Sequence, residues 1–179
     1  MKVNSFLAAA LMAVFFTSCQ KDENDVTQPV VTNEEELITT LKVNLSADSA
    51  TRIFQFRDPD GEGGANGTTD TIYMQAGKVY QCSLQFLNES NPAKVIDITT
   101  EIREEADDHL VCFDASDAVI TRTDKDSKGL GVGLASEWVS SATGRGTITI
   151  RLRHQPGLKD GSCGIGETDI EVVFPVVVQ

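Results

Sequence analysis

The residues best suited to metal chemistry in this sequence are its two histidines, His109 and His154. His109 follows the acidic run Glu104–Asp108, and His154 ends a predicted strand in the phase of its inward-facing aliphatic side chains. Glu167 and Asp169 open the next predicted strand. Imidazole and carboxylate groups are common ligands of zinc and related ions, so one hypothesis is a transition-metal site near both histidines. The spacing matches no known metal motif, and a buried, hydrogen-bonded histidine with a second at the surface is the simpler interpretation.

An acidic segment resembles the start of a calcium-binding EF-hand loop. Asp58, Asp60 and Glu62 hold positions 1, 3 and 5 of that loop, and Gly63 holds position 6. Oxygen ligands and a sharp glycine turn are what calcium needs, so these three carboxylates are candidate ligands. Position 12 is Thr69 rather than the bidentate Glu of the motif. A solvated turn is therefore the alternative.

The four cysteines suggest one disulfide bond. Cys82 lies in phase with the buried face of a predicted strand and is expected in the core. Cys163 lies in the glycine-rich loop 160–166, from which its thiol could reach a neighbouring strand. Because an exported chain meets oxidising conditions, we predict a Cys112–Cys163 disulfide. Cys19 belongs to a different motif.

The N-terminus has the features of a bacterial lipoprotein signal. Lys2 precedes an apolar run over residues 6–16, and Thr17-Ser18-Cys19 resembles a lipobox. This predicts a signal peptide over 1–18, acylation of Cys19, and a polar flexible tether over 19–36. Residues 20–24 resemble an export signal for the outer face of the outer membrane, so surface display is favoured over the periplasmic face. An ordinary secretory signal is the alternative.

Composition excludes several classes of protein. The 179 residues contain 15 Lys+Arg and 27 Asp+Glu, a formal net charge of -12, which argues against nucleic acid as a partner. No apolar run approaches the roughly 18 residues of a membrane-spanning helix. No nucleophile elbow, phosphate-binding loop or dinucleotide fingerprint is present, so neither an enzyme nor a resident organic cofactor is predicted.

Hydrophobic periodicity predicts an all-β domain over residues 37–179. The clearest strand is Val79–Leu87, and about nine short strands separated by turn signals indicate a single antiparallel β-sandwich of immunoglobulin-like size. The last two strands are predicted to pair as a hairpin, with Arg151 and Arg153 across from Asp169 and Glu171. Val95–Glu101 is predicted as a strand. Residues 99–108 form the single helix candidate and overlap its end.

Several segments together resemble a known family. They are Asn33–Thr40, Phe56–Gly61, Leu87–Ser90, Asp108-His109, Leu152–Pro156 and Gly166–Val172. As a set they are similar to small bacterial envelope lipoproteins labelled "type 1 periplasmic-binding-fold superfamily". The resemblance implies a lipid-anchored envelope protein of uncharacterised function and no catalytic residues. A binding fold of that type has two α/β lobes, whereas this chain lacks alternating strand–helix units, so periodicity sets the predicted fold.

These observations favour a lipid-anchored, non-catalytic binding or interaction module. The anchor predicts the membrane as one partner, and an outer-membrane uptake receptor or another envelope protein as a possible second. Loops 58–71, 124–129 and 155–166 are the candidates for recognition, since loops carry function on a rigid sheet scaffold. Metal binding by calcium or a transition ion is one alternative function. A structural or adhesive envelope protein is the other.

Overall fold

Strands with alternating buried and exposed residues form two sheets in this protein. The structure, a computed structural model, describes residues 36–61, 67–140 and 142–179. Within them the strands are β1 Thr40–Ala47, β2 Ala50–Arg57, β3 Thr68–Thr69, β4 Ile72–Met74, β5 Val79–Asn88, β6 Ile96–Asp97, β7 His109–Ala115, β8 Ala118–Arg122, β9 Ala135–Ser140, β10 Gly144–His154 and β11 Glu167–Val178, and the helix is α1 Ile98–Glu104.

The two sheets differ in size and are almost wholly antiparallel. The larger has the order β3–β2–β1–β5–β9–β8, with β6 paired to β5, and the smaller has the order β4–β11–β10–β7. The short β4 runs parallel to β11. The architecture is an all-β sandwich, as the period-2 pattern predicts, and not a pair of α/β lobes.

The core lies between the sheets and is filled by the inward-facing residues of both. Trp138, Phe86 and Phe174 are its largest side chains, each with 0% of its surface exposed. Trp138 packs edge-to-face against Phe113 and donates a hydrogen bond to Ser136 Oγ at 2.8 Å. The indole therefore fills the core without leaving its N–H unsatisfied.

The predicted strand Val95–Glu101 is correct only for Ile96–Asp97, which form β6, whereas the overlapping helix candidate 99–108 is confirmed over its first part by α1. Asp97 is the N-cap of α1, and its carboxylate accepts the Thr99 backbone N–H at 3.0 Å. Ile98 and Ile102 then face the core one turn apart while Thr100 between them is exposed, which fits a helix, since a strand would place all three on one face. In the described part of the chain, no helix is long and apolar enough to cross a membrane.

The sequence does not predict β3 or β4. These strands have two and three residues, which is too short for an alternation of apolar and polar side chains to be recognised.

The β10–β11 hairpin confirms half of the predicted charge pairing. Arg151 lies opposite Glu171 and forms an ion pair with it. A register shift after Leu152 places Arg153 opposite Thr168 instead of an acid. A bulge of this kind cannot be read from alternation alone, because it changes the partner of every later residue.

Candidate metal centre

The fold places the two histidines side by side at one end of the sandwich, here called the histidine end. His109 is the first residue of β7, His154 is the last of β10, and the two are register partners. Their rings stack with centroids 4.7 Å apart and planes 10° from parallel. The two histidines are 45 positions apart in the chain. They meet because the antiparallel strands β7 and β10 pair so that the first residue of β7 lies opposite the last residue of β10.

Glu105 completes a set of three metal-ligating side chains. It is the C-cap residue of α1 and leads directly into the loop before β7. One ligand atom each from Glu105, His109 and His154 lies within 4.8 Å of the others. In the part of the chain that the structure describes, this is the one such group of three. Glu105 lies in the acidic run noted in the sequence, but nothing in that run distinguishes it from its neighbours.

The environment of His109 holds its ring in the state that binds metal. Its Nδ1 lies 3.1 Å from the Glu105 carbonyl oxygen, and because a carbonyl can only accept, Nδ1 carries the proton. The lone pair is therefore on Nε2. Burial lowers the pKa of His109, and the neighbouring His154 adds to this, which keeps the ring neutral.

Two imidazoles and a carboxylate match the ligand set of several zinc sites, and they leave further coordination positions open. Tetrahedral zinc with bonds near 2.1 Å brings neighbouring ligand atoms to about 3.4 Å from one another. The ligand atoms of the three side chains must therefore approach one another by up to about 1.4 Å to bind an ion. Glu105 is exposed and His154 half-buried, so rotamer changes can supply this movement.

A cluster of carboxyl groups, Glu36, Glu101 and Asp169, lies next to this site. Burial, together with the nearby charges of Glu101, Asp169 and Glu105, raises the pKa of Glu36 to about 8. Glu36 shares a hydrogen bond with Glu101, as expected for a carboxyl group that keeps its proton beside a carboxylate. Neither Glu36 nor Glu101 was a sequence candidate, because 65 residues separate them.

Glu36→Gln should stabilise the protein at alkaline pH. Since the folded pKa of Glu36 exceeds that of the unfolded chain, its stabilising contribution is full below pH 4.5 and is lost as pH rises towards 8. A neutral amide removes this loss and still donates to Glu101. We expect a rise of a few degrees in Tm at pH 8.5 and almost none at pH 4.5, measured by thermal unfolding. Exposed Glu104→Gln is the control, and an equal rise there would contradict the assignment.

The structure brings together two of the three predicted calcium ligands. The Asp58 carboxyl group is partly desolvated and shares a hydrogen bond with Asp60, and both effects raise its pKa. Asp58 Oδ1 is buried and makes no hydrogen bond among the described residues. Glu62 lies outside the described residues, so the calcium site remains a prediction.

The carboxylate of Asp126, in the predicted recognition loop 124–129, already has a cation. Lys159 Nζ lies 2.8 Å from Asp126 Oδ2, and neither side chain is exposed. Lys159 also donates to the Ala106 carbonyl at 2.7 Å. Asp126 Oδ1 accepts the backbone N–H groups of Lys128 and Leu130 at 2.9 and 2.8 Å. This buried pair ties loops 124–129 and 155–166 to the end of α1.

The predicted Cys112–Cys163 disulfide is confirmed. It connects buried β7 to the loop that follows β10, with Arg122 Nη2 at 3.4 Å from Cys163 Sγ. Cys82 is buried and free, as expected, and burial raises the pKa of its thiol to about 12. Cys19 lies outside the described residues.

Loop 155–166 is also held by a residue that sequence reasoning missed. Gln155 has 0% of its surface exposed, and its Nε2 donates to the carbonyls of Ser162 and Ile165 at 2.8 and 2.9 Å. Gly166 has φ +77°, and a Cβ there would lie 2.2 Å from the His154 carbonyl oxygen. The loop therefore closes tightly against His154 only because residue 166 is glycine.

Comparison of the chain with protein-family models, with curated proteins and with solved structures found no match.

Proposed function

We propose that this protein is a lipid-anchored, non-catalytic binding module of the bacterial cell envelope that binds a divalent transition-metal ion through Glu105, His109 and His154. The observation that carries the proposal is the convergence of these three donors within 4.8 Å. The neutral state of His109 and the surrounding carboxyl groups favour a cation there. The anchor rests on the lipobox at Cys19.

The metal proposal predicts a large thermal response to zinc. In protein stripped with chelator, zinc at about 100 times its dissociation constant adds about 2.7 kcal/mol, which raises Tm by several degrees. Calorimetric titration of the same sample should show one zinc ion per chain. Absence of both signals would contradict the proposal.

Matched variants separate a built site from adventitious binding. Glu105→Gln leaves the backbone carbonyl that holds His109 in place, so it should weaken zinc at least tenfold without unfolding the protein. His154→Asn should do the same. Glu104→Gln removes an exposed carboxylate from the adjacent residue and should leave zinc binding unchanged. Equal losses in Glu104→Gln and Glu105→Gln would mean that zinc follows net charge alone.

Calcium at Asp58 and Asp60 is the second candidate, supported by their adjoining carboxyl groups and the unsatisfied Asp58 Oδ1. A Tm increase with calcium that Asp58→Ala and Asp60→Ala abolish would support it, whereas retained calcium binding would exclude that site. The association with an outer-membrane receptor or another envelope protein stays a prediction from the sequence.

A further inference from the structure

A cavity of about 210 Å³ opens between the two sheets at the end of the sandwich opposite the histidines. The tip of the β1–β2 hairpin, the segment from Tyr73 to Tyr80, and Gln179 form its walls. Strand β10 runs from the cavity end of the sandwich to the histidine end. It begins at Gly144, which pairs with Val178 beside β4, and it ends at His154. Its 11 residues place the ends roughly 34 Å apart.

An exposed arginine, Arg52, lies at the mouth of this cavity. Arg52 lies opposite Leu45 in the β1–β2 register and on the same face of β2 as the buried Phe54, but it is nearer the tip of the hairpin, where β2 is exposed. Among the residues that the structure describes, the Arg52 guanidinium has no hydrogen-bond or ion-pair partner. Its donors are therefore available at the cavity.

Two further donors converge on the same space. The Tyr80 oxygen accepts the Gln75 backbone N–H at 2.8 Å, which leaves its own hydroxyl hydrogen free to donate. Lys78 forms an ion pair with Asp48 at the rim and donates to Gln75 Oε1 at 3.2 Å. The charged side chains of the lining are thus two cations and one anion, a net +1, in a chain whose net charge is -12.

The rim residue Asp48 is held in an unusual backbone conformation. Asp48 and Ser49 form the two-residue β1–β2 turn with φ values of +48° and +64°, a geometry in which glycine and asparagine are preferred. Residues in sparsely populated conformations concentrate at ligand-binding sites. Here the conformation presents the Asp48 carboxylate to Lys78 and closes one side of the opening.

We propose that this cavity binds a small organic carboxylate, with the carboxylate on Arg52 and the Tyr80 hydroxyl. The apolar part of the ligand packs on the wall formed by Leu45, Phe54 and Met74. Pockets for drug-sized ligands enclose roughly 300–1,000 Å³, so this smaller cavity suits a single ring or short chain. The inference does not depend on the metal proposal, because the two sites lie at opposite ends of the domain.

The test follows backbone amide shifts by NMR during titration with carboxylates of two chemical classes. Phenylacetate represents the aromatic acids, and glucuronate represents the sugar acids. Their neutral counterparts, 2-phenylethanol and glucose, serve as ligand controls. At least one carboxylate should give saturable shifts of Gln75 and Lys78 at concentrations up to about 10 mM, and its neutral counterpart should not. The carboxylate that binds shows whether the site prefers an aromatic acid or a sugar acid.

Three variants make the result decisive. Arg52→Gln should lower the affinity for the carboxylate at least tenfold. Arg145 is exposed at the same end of the sandwich but does not line the cavity, so Arg145→Gln should leave the affinity unchanged. Asp48→Asn frees Lys78, suits the turn better, and should tighten binding severalfold. Absence of saturable shifts, equal binding of the neutral counterpart, or equal weakening by Arg52→Gln and Arg145→Gln would each overturn the proposal.

Discussion

Replacing Lys159 with Met should lower the free energy of unfolding by about 3–5 kcal/mol, because it leaves the Asp126 carboxylate buried without its cation. Both side chains are fully enclosed, and the Lys159 ammonium also satisfies the Ala106 carbonyl. Burial alone raises the pKa of Asp126, but the hydrogen bonds from Lys159 and Leu130 outweigh it and keep the pKa below its usual value. Urea denaturation near neutral pH measures the loss.

The double variant Lys159→Met/Asp126→Asn should recover much of that stability. Asparagine removes the buried charge and still accepts from the backbone N–H groups of Lys128 and Leu130. The exposed pair Arg151–Glu171 provides the control, since Glu171→Gln should cost no more than about 1 kcal/mol. If Lys159→Met costs no more than Glu171→Gln, the ion pair is not buried in solution.

The sign of the pH dependence follows from the lowered pKa of Asp126. The stabilising contribution is present above the unfolded value of 3.8 and is lost as pH falls through the lower folded value. Without the ammonium, burial raises the pKa of Asp126 in Lys159→Met, so the difference in stability between the wild type and this variant should begin to narrow above pH 3.8 and continue to narrow below it. A constant difference down to acidic pH would contradict this.

Removing the Cys112–Cys163 disulfide should lower the free energy of unfolding by about 4 kcal/mol. The two cysteines are 51 residues apart, and a closed loop of that length restricts the unfolded chain by roughly this amount in the chain-entropy model. The variant Cys112→Ala/Cys163→Ser should unfold at markedly lower urea concentration than the oxidised wild type. The reduced wild type should behave like the variant.

The reductant itself needs a control, which the same variant supplies. Cys82 is buried, and the raised pKa of its thiol makes it unreactive, so reductant should not change the stability of Cys112→Ala/Cys163→Ser. A large effect of reductant on that variant would show that the loss does not come from this disulfide. Because loop 155–166 closes on His154, removal of the disulfide should also lower the affinity for zinc.

Local pattern was sufficient to predict most strands and the disulfide. In β5 the alternation of Tyr80, Cys82, Leu84 and Phe86 with polar residues decides which face is buried, because side chains in a strand alternate with period 2. Cys82 belongs to that face, which left Cys112 and Cys163 to pair. Pattern left Val95–Glu101 ambiguous between a strand and the start of the helix candidate 99–108, and the structure shows that the helix begins after the N-cap Asp97.

The sequence by itself determined that this chain forms a β-sandwich, since this follows from periodicity, and it favoured the Cys112–Cys163 pairing that the structure shows. Tertiary structure alone decided which polar residues act together. Glu105 lies beside two histidines, Lys159 neutralises Asp126, and Arg52 lies at the mouth of a cavity. The physical reason is that strand register and loop closure set these contacts between residues distant in the chain, and neither leaves a local periodic signal.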